Sequence, residues 1–112
     1  MPVTPEAFRR MALDFPETTE QEHMDHPDFR VGGKIFATLG YPDEHWGMVK
    51  LSPGQQHEFL QAHPKAFIPA AGAWGRKGST GVQLKAVSKT VLRKALATAW
   101  GNTAPGRLVR AR

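Results

Sequence analysis

Residues 26–39, HPDFRVGGKIFATL, constrain the fold more than any other stretch of the chain. Two runs rich in β-formers, Phe29-Arg30-Val31 and Lys34-Ile35-Phe36-Ala37, flank Gly32-Gly33. Both central residues of a type I′ turn need positive φ, which glycine adopts without a Cβ clash. The stretch therefore reads as an antiparallel hairpin whose short turn sets the register. Val31 falls opposite Lys34, Arg30 opposite Ile35 and Phe29 opposite Phe36. Opposed residues share a face. Phe29, Val31 and Phe36 are thus expected on one face, and Arg30, Ile35, Ala37 and Leu39 on the other. The next strand, Trp46 to Leu51, repeats the pattern, with Trp46 and Met48 on one face and Val49 and Leu51 on the other. A sheet packed on one side alternates more cleanly. A second cover is therefore expected, supplied by residues 67–78 or by another subunit.

Helices bracket these strands. Thr4-Pro5-Glu6 is a helix start: a capping hydroxyl, a proline suited to the first helical position, and an acid at the positive end of the dipole. Phe8, Met11, Ala12 and Phe15 follow at helical spacing, and Pro16 ends the helix. Ser52 with Gln55 forms a capping-box pattern, with Pro53 at the first position and Pro64 as the stop. Its narrow buried side is Phe59, Leu60 and His63. Ser88 caps a last helix whose broad apolar face is Val91, Leu92, Ala95, Leu96, Ala99 and Trp100, with Gly101-Asn102 as its C-cap. Glu20 to Asp25 is expected as a polar edge strand with Met24 inward, ahead of a break at Pro27. Residues 68–81 are glycine-rich and expected to be irregular. Val82 and Leu84 alternate with Gln83 and Lys85, which reads as a short strand. The order is helix, three or four strands, helix, one or two strands, helix, which makes an α+β two-layer sandwich on a mainly antiparallel sheet.

Charge is unevenly distributed. The net charge is +5. All ten acidic residues lie in residues 1–62 beside only five basic ones, whereas residues 63–112 hold ten Lys/Arg and no acid. Such a split points to an anionic partner for the basic part, unless the two segments neutralise each other in the fold. The chain of 112 residues suits one domain, residues 1–102, with a basic, mobile tail at 103–112. It has no cysteine, which excludes disulfides, Cys-ligated zinc and thiol catalysis and fits a reducing, cytoplasmic setting. No apolar run approaches a membrane span, and no signal peptide is visible.

At His26-Pro27-Asp28-Phe29-Arg30-Val31-Gly32-Gly33-Lys34-Ile35-Phe36-Ala37, Val49-Lys50-Leu51-Ser52-Pro53 and Gly72-Ala73-Trp74-Gly75-Arg76, the chain resembles the MmcQ/YjbR-like family of small bacterial proteins. The spacing to the helix ending in Ala99-Trp100 also fits. The resemblance implies an α-β-β-β-α-β-β-α arrangement related to secretion-chaperone-like folds, and DNA binding by a double-wing shape. One departure is Ser79, where relatives often carry an aromatic residue or histidine.

Two sets of residues are candidates for binding. Trp74, Arg76, Lys77, Lys85 and Lys89 form a candidate nucleic-acid set, since basic side chains contact phosphates and an adjacent aromatic can stack on a base. The usual burial of large aromatics nevertheless predicts that Trp74 folds onto the core. Arg30, Lys34 and Lys50 form a candidate ligand set. Arg30 and Lys34 face opposite ways in the predicted pairing, and Asp28 or Glu44 offers Arg30 a structural ion pair. The free N–H groups after Ser88, near Lys85 and Lys89, add a weak anion-binding position. GAWGRKGST lacks the Gly-Lys-Ser/Thr order of a phosphate-binding loop. No metal is expected, because no histidine spacing is diagnostic and His23 and His26 would diverge on one strand. No catalytic residues and no cofactor are assigned, as no nucleophile–base–orienter set is visible. The reading is a non-enzymatic module that binds DNA weakly through phosphates. The competing reading is a protein- or peptide-binding adaptor, chaperone-like and dimeric.

Overall fold

The computed structural model describes residues 3–111. Helix α1, Pro5–Leu13, starts where Thr4 accepts a hydrogen bond from the Ala7 amide, and it buries Phe8, Met11 and Ala12. Four strands follow: β1 Thr19–His23, β2 His26–Val31, β3 Lys34–Leu39 and β4 Trp46–Lys50. Helix α2, Pro53–Ala62, begins in the expected capping box on Ser52 and Gln55. Strand β5, Phe67–Pro69, helix α3, Gly72–Arg76, and strand β6, Ser79–Gln83, come next. Helix α4, Lys89–Thr103, and the short α5, Gly106–Ala111, close the chain. The six strands form one antiparallel sheet in the order β1-β2-β3-β4-β6-β5. The α+β two-layer architecture is as expected, with a fourth strand before α2 and a short helix between the last two strands.

The hairpin turn forms at Gly32-Gly33, with φ of 61° and 78°. Val31 pairs with Lys34 and Arg30 with Ile35, as the turn dictates. The pairing then slips by one residue, so Phe29 lies opposite Ala37 instead of Phe36. This bulge resolves the mixed polarity of the sequence. An inserted residue leaves Phe36 and Ala37 on the same side and reverses the alternation beyond them. Phe29, Val31, Phe36, Ala37 and Leu39 therefore all join one core, where none is more than 5% exposed. Val49, Val82 and Phe67 continue that face across β4, β6 and β5.

Helices α1 and α4 cover this side. Leu92, Ala95, Leu96, Ala99 and Trp100 are fully buried, which matches the predicted stripe. Trp100 stacks on Phe15 and donates its indole N–H to the Pro16 carbonyl, 3.1 Å away. Helix α2 sits at the margin and buries no residue completely, although Phe59 and Leu60 pack against the core.

Several local expectations change. Met24 does not point inward: Met24 and Asp25 form the β1–β2 turn with positive φ, and Met24 is 86% exposed. Pro27 is no break but lies within β2, opposite Glu22 of the edge strand. Residues 68–81 are not irregular, since most of them belong to β5, α3 and β6. Gly101 and Asn102 do not cap α4. The helix runs on to Thr103 and stops where Ala104, ahead of Pro105, turns extended, while the Asn102 side chain donates to the Lys50 carbonyl and to Gln55. The segment read as a mobile tail carries α5, which buries Leu108 and pairs Arg107 with Glu17. Among the described residues, no helix is long and apolar enough to cross a membrane.

Candidate nucleic-acid interface on the open sheet face

The sheet has one face under α1 and α4 and a second face turned away from them. Register defines the second. One row across the strands is Gln21, Asp28, Thr38, Met48, Gly81 and Ile68. On either side of it, Trp46 lies opposite Gln83, and Lys50 opposite Ser79. Trp46, Met48 and Lys50 are half-buried on this face, and Ile68 is exposed. The expected second cover is not supplied by residues 67–78. Strand β5 widens the sheet, and α3 is placed at the Ser79 end of β6.

The two ends of the face differ in chemistry. At the β1–β2 end, Asp28 is wholly buried although it is a carboxylate. Arg30 grips it with two bonds, Nε to Oδ1 at 2.7 Å and Nη2 to Oδ2 at 3.1 Å. His23 Nδ1 stands 2.8 Å from Oδ2. The Arg30 guanidinium holds the Asp28 carboxyl below its ordinary range, against the opposing effect of burial, and His23 adds to the lowering. Arg30 is thus committed to a structural pair. The hairpin also corrects the histidine geometry: His23 and His26 sit on separate strands, directly paired, and share a face.

At the other end lies Trp74, which is not on the core but 66% exposed. Lys50 Nζ is 6.0 Å from its ring centroid, within cation–π range. Glycine places α3 there. A Cβ on Gly75 would fall 1.8 Å from the Ala70 carbonyl oxygen, and one on Gly78 would fall 1.9 Å from that of Leu51. Only glycine lets the helix and its exit lie so close to those backbones. Gln56 of α2 pins the same place by donating to the Gly75 and Ser79 carbonyls, both at 3.0 Å. Gly75 and Gly78 therefore have a packing role.

The candidate residues divide into separate groups. Trp74 and Lys50 meet, and Arg76 and Lys77 are exposed on the same short helix and its cap. Lys85 and Lys89 lie beyond the opposite end of β6, whose length is about 13 Å at the ordinary rise per strand residue. Lys34 is exposed beside the hairpin turn and shares no cluster with Arg30 or Lys50. Trp46, Met48 and Ile68 belong to the face but were not singled out from the sequence. Their signal was the alternation of β4, which puts Trp46 and Met48 opposite in sense to the core residue Val49.

The acidic and basic segments do not neutralise each other by direct pairing. Glu6 and Glu20 pair with Arg9, Glu6 also with Arg10, and Asp28 with Arg30, all within the acidic segment. Among the described residues, Arg107 with Glu17 is the sole ion pair between the two segments. Among the described residues, Lys65, Arg76, Lys77, Lys85, Lys89, Arg93, Lys94 and Arg110 form none. Among the described residues, no three His, Asp or Glu side chains converge as metal ligands.

Comparison with known proteins places the chain. No curated protein matches it. The crystal structure of Deinococcus radiodurans protein DR2400, of the DUF419 domain family, superposes with a TM-score of 0.76 at 21% identity. That match covers 89% of this chain and 78% of the other, and it establishes likeness of fold. A sequence model of the family described as YjbR matches residues 13–102, from the last residue of α1 to the last turn of α4. Hairpin, sheet and closing helix thus fall within a single match, and the chain belongs to the YjbR family.

Proposed function

We propose that this protein is a non-enzymatic binding module for nucleic acid, held mainly through phosphates. One observation carries the reading: the basic side chains of residues 63–111 are, apart from Arg107, without acidic partners among the described residues. Arg76 and Lys77 are the best placed, exposed on the same short helix and cap as Trp74, whose ring meets Lys50. The family resemblance carries the same expectation. Lys85 and Lys89, across the length of β6, extend the positive surface without joining that cluster. Such binding is weak and falls steeply with salt, because each neutralised phosphate releases counterions.

Titration of DNA at low and moderate salt tests this. Replacing Arg76 and Lys77 together by Ala should lower affinity for all sequences alike and flatten the log–log salt slope by about two. An unchanged slope would remove α3 from the interface. The adaptor reading rests on Trp46, Met48 and Ile68, which lie on an uncovered face. A mass measurement in solution separates the two, since a dimer whose assembly protects Trp46 would favour the adaptor.

A further inference from the structure

Resting on that reading, we infer that the Lys50–Trp74 end of the open face takes unpaired bases, so that the module selects single-stranded over duplex nucleic acid. The aromatic placement carries the inference. Trp74 leaves two-thirds of its surface in water, although large aromatics gain most from burial. A five-residue helix anchored by Gly75 and Gln56 holds it in that position. A second indole, Trp46, shares a face with Lys50 at the far end of β4, about 13 Å away along the strand. Between them, Met48 lies opposite Gly81, where no side chain rises from the sheet. A Cβ on Gly81 would come within 3.3 Å of Ile68 and 3.5 Å of Trp46, so those side chains lean over the gap.

A face that carries two indoles, with Lys50 at one ring and Arg76 and Lys77 exposed on the same short helix and its cap, suits a strand whose bases are free to stack while its phosphates meet the cations. A duplex keeps its bases stacked internally and offers these rings nothing comparable. Charge grades along the site. Asp43 and Glu44 precede Trp46 and offset Lys85, which follows Gln83 opposite that ring, so phosphate contact is strongest at the Lys50 end and Trp46 contributes stacking.

The test uses the intact protein, an oligo-deoxythymidine of about a dozen nucleotides, and the same strand annealed to oligo-deoxyadenosine, at one low salt concentration. The single strand should quench tryptophan fluorescence and bind about tenfold more tightly than the duplex. Trp74→Ala should lower single-strand affinity about tenfold and leave duplex affinity unchanged, whereas Trp74→Phe should retain most of it. The Arg76/Lys77 double alanine variant should weaken both. Equal affinity for the two forms, or indifference to Trp74→Ala, overturns the inference and leaves the phosphate reading standing. Failure of both forms to bind overturns that reading as well. Equal binding of polyglutamate would show that charge alone is read, and overturns the inference.

Discussion

The two faces of one sheet are built from the same strands by the same alternation, yet they meet opposite fates. Under α1 and α4, Phe29, Val31, Phe36, Ala37, Val49 and Val82 lose essentially all contact with solvent. On the other side Trp46 and Met48 are only half-buried, while Ile68 and Trp74 stay exposed at 48% and 66%. At about 25 cal/mol per Å² of apolar surface, the open side forgoes stabilisation that the covered side collects. The difference teaches where stability ends and availability begins. The bulge at Phe36 is the device that separates them, because it gathers the hairpin's apolar residues beneath the helices. What stays outside is polar at one end and aromatic and cationic at the other.

The largest expected effect breaks the covered side. Phe29→Ala should cost about 3–5 kcal/mol, because the ring is fully buried and contacts Phe8 at 5.9 Å between centroids. Trp46→Ala, although it removes a larger side chain, should cost about 1 kcal/mol, since its site is already partly wet. Urea unfolding measures both. Equal losses would mean that the open face is a second core, and the contrast would collapse.

Much of the covered side was readable in the sequence. The stripes of α1 and α4 repeat every three or four residues, and burial follows them because each helix has one face against the sheet. The Gly32-Gly33 turn needed only local chemistry. The bulge was not read, although Phe36, Ala37 and Leu39 break strict alternation in the way a bulge does. A register slip depends on both strands and on the helices waiting above them. The open face was half-visible. Trp46 and Met48 fell on one side by period two, but exposure of Trp74 depends on α3, whose seat comes from contacts of Gly75 and Gln56 with distant backbone. The Asp28–Arg30 pair was foreseeable at spacing two on a strand. His23 joins it only because Met24-Asp25 turns the chain back.

The next effect probes the polar end of the open face. Asp28→Asn should cost about 2 kcal/mol at neutral pH, by weakening charge-assisted bonds to Arg30 and His23. Its pH dependence has a definite sign. The folded-state pKa of Asp28 is lowered from an ordinary 3.8, so the unfolded chain takes up the proton first. The contribution is complete above that ordinary value and is lost as pH falls through the lower folded-state value. Unfolding curves of the native protein and the Asn variant should therefore be well separated at pH 7 and converge in acid. A constant separation down to strongly acidic pH would show that Asp28 acts by packing, as covered residues do, and not as a paired charge.

The smallest expected effect sharpens the contrast most. Trp74→Ala should change stability by no more than about 0.5 kcal/mol, although tryptophan is the largest side chain in the molecule. The ring is mostly in water, and its contact with Lys50 at 6.0 Å is worth about 0.5 kcal/mol at an exposed site. Thermal and urea unfolding give the value. Near-ultraviolet circular dichroism should keep the signal of the buried Trp100, which reports the core directly. A loss of 2 kcal/mol or more would mean that Trp74 is packed, and α3 would then be a cover for the open face. With stability unchanged, the energetic purpose of a large exposed aromatic held by two close backbone contacts lies outside the fold. The rigidity of its seat then serves recognition, since a ring fixed before binding loses little conformational freedom when a partner stacks on it.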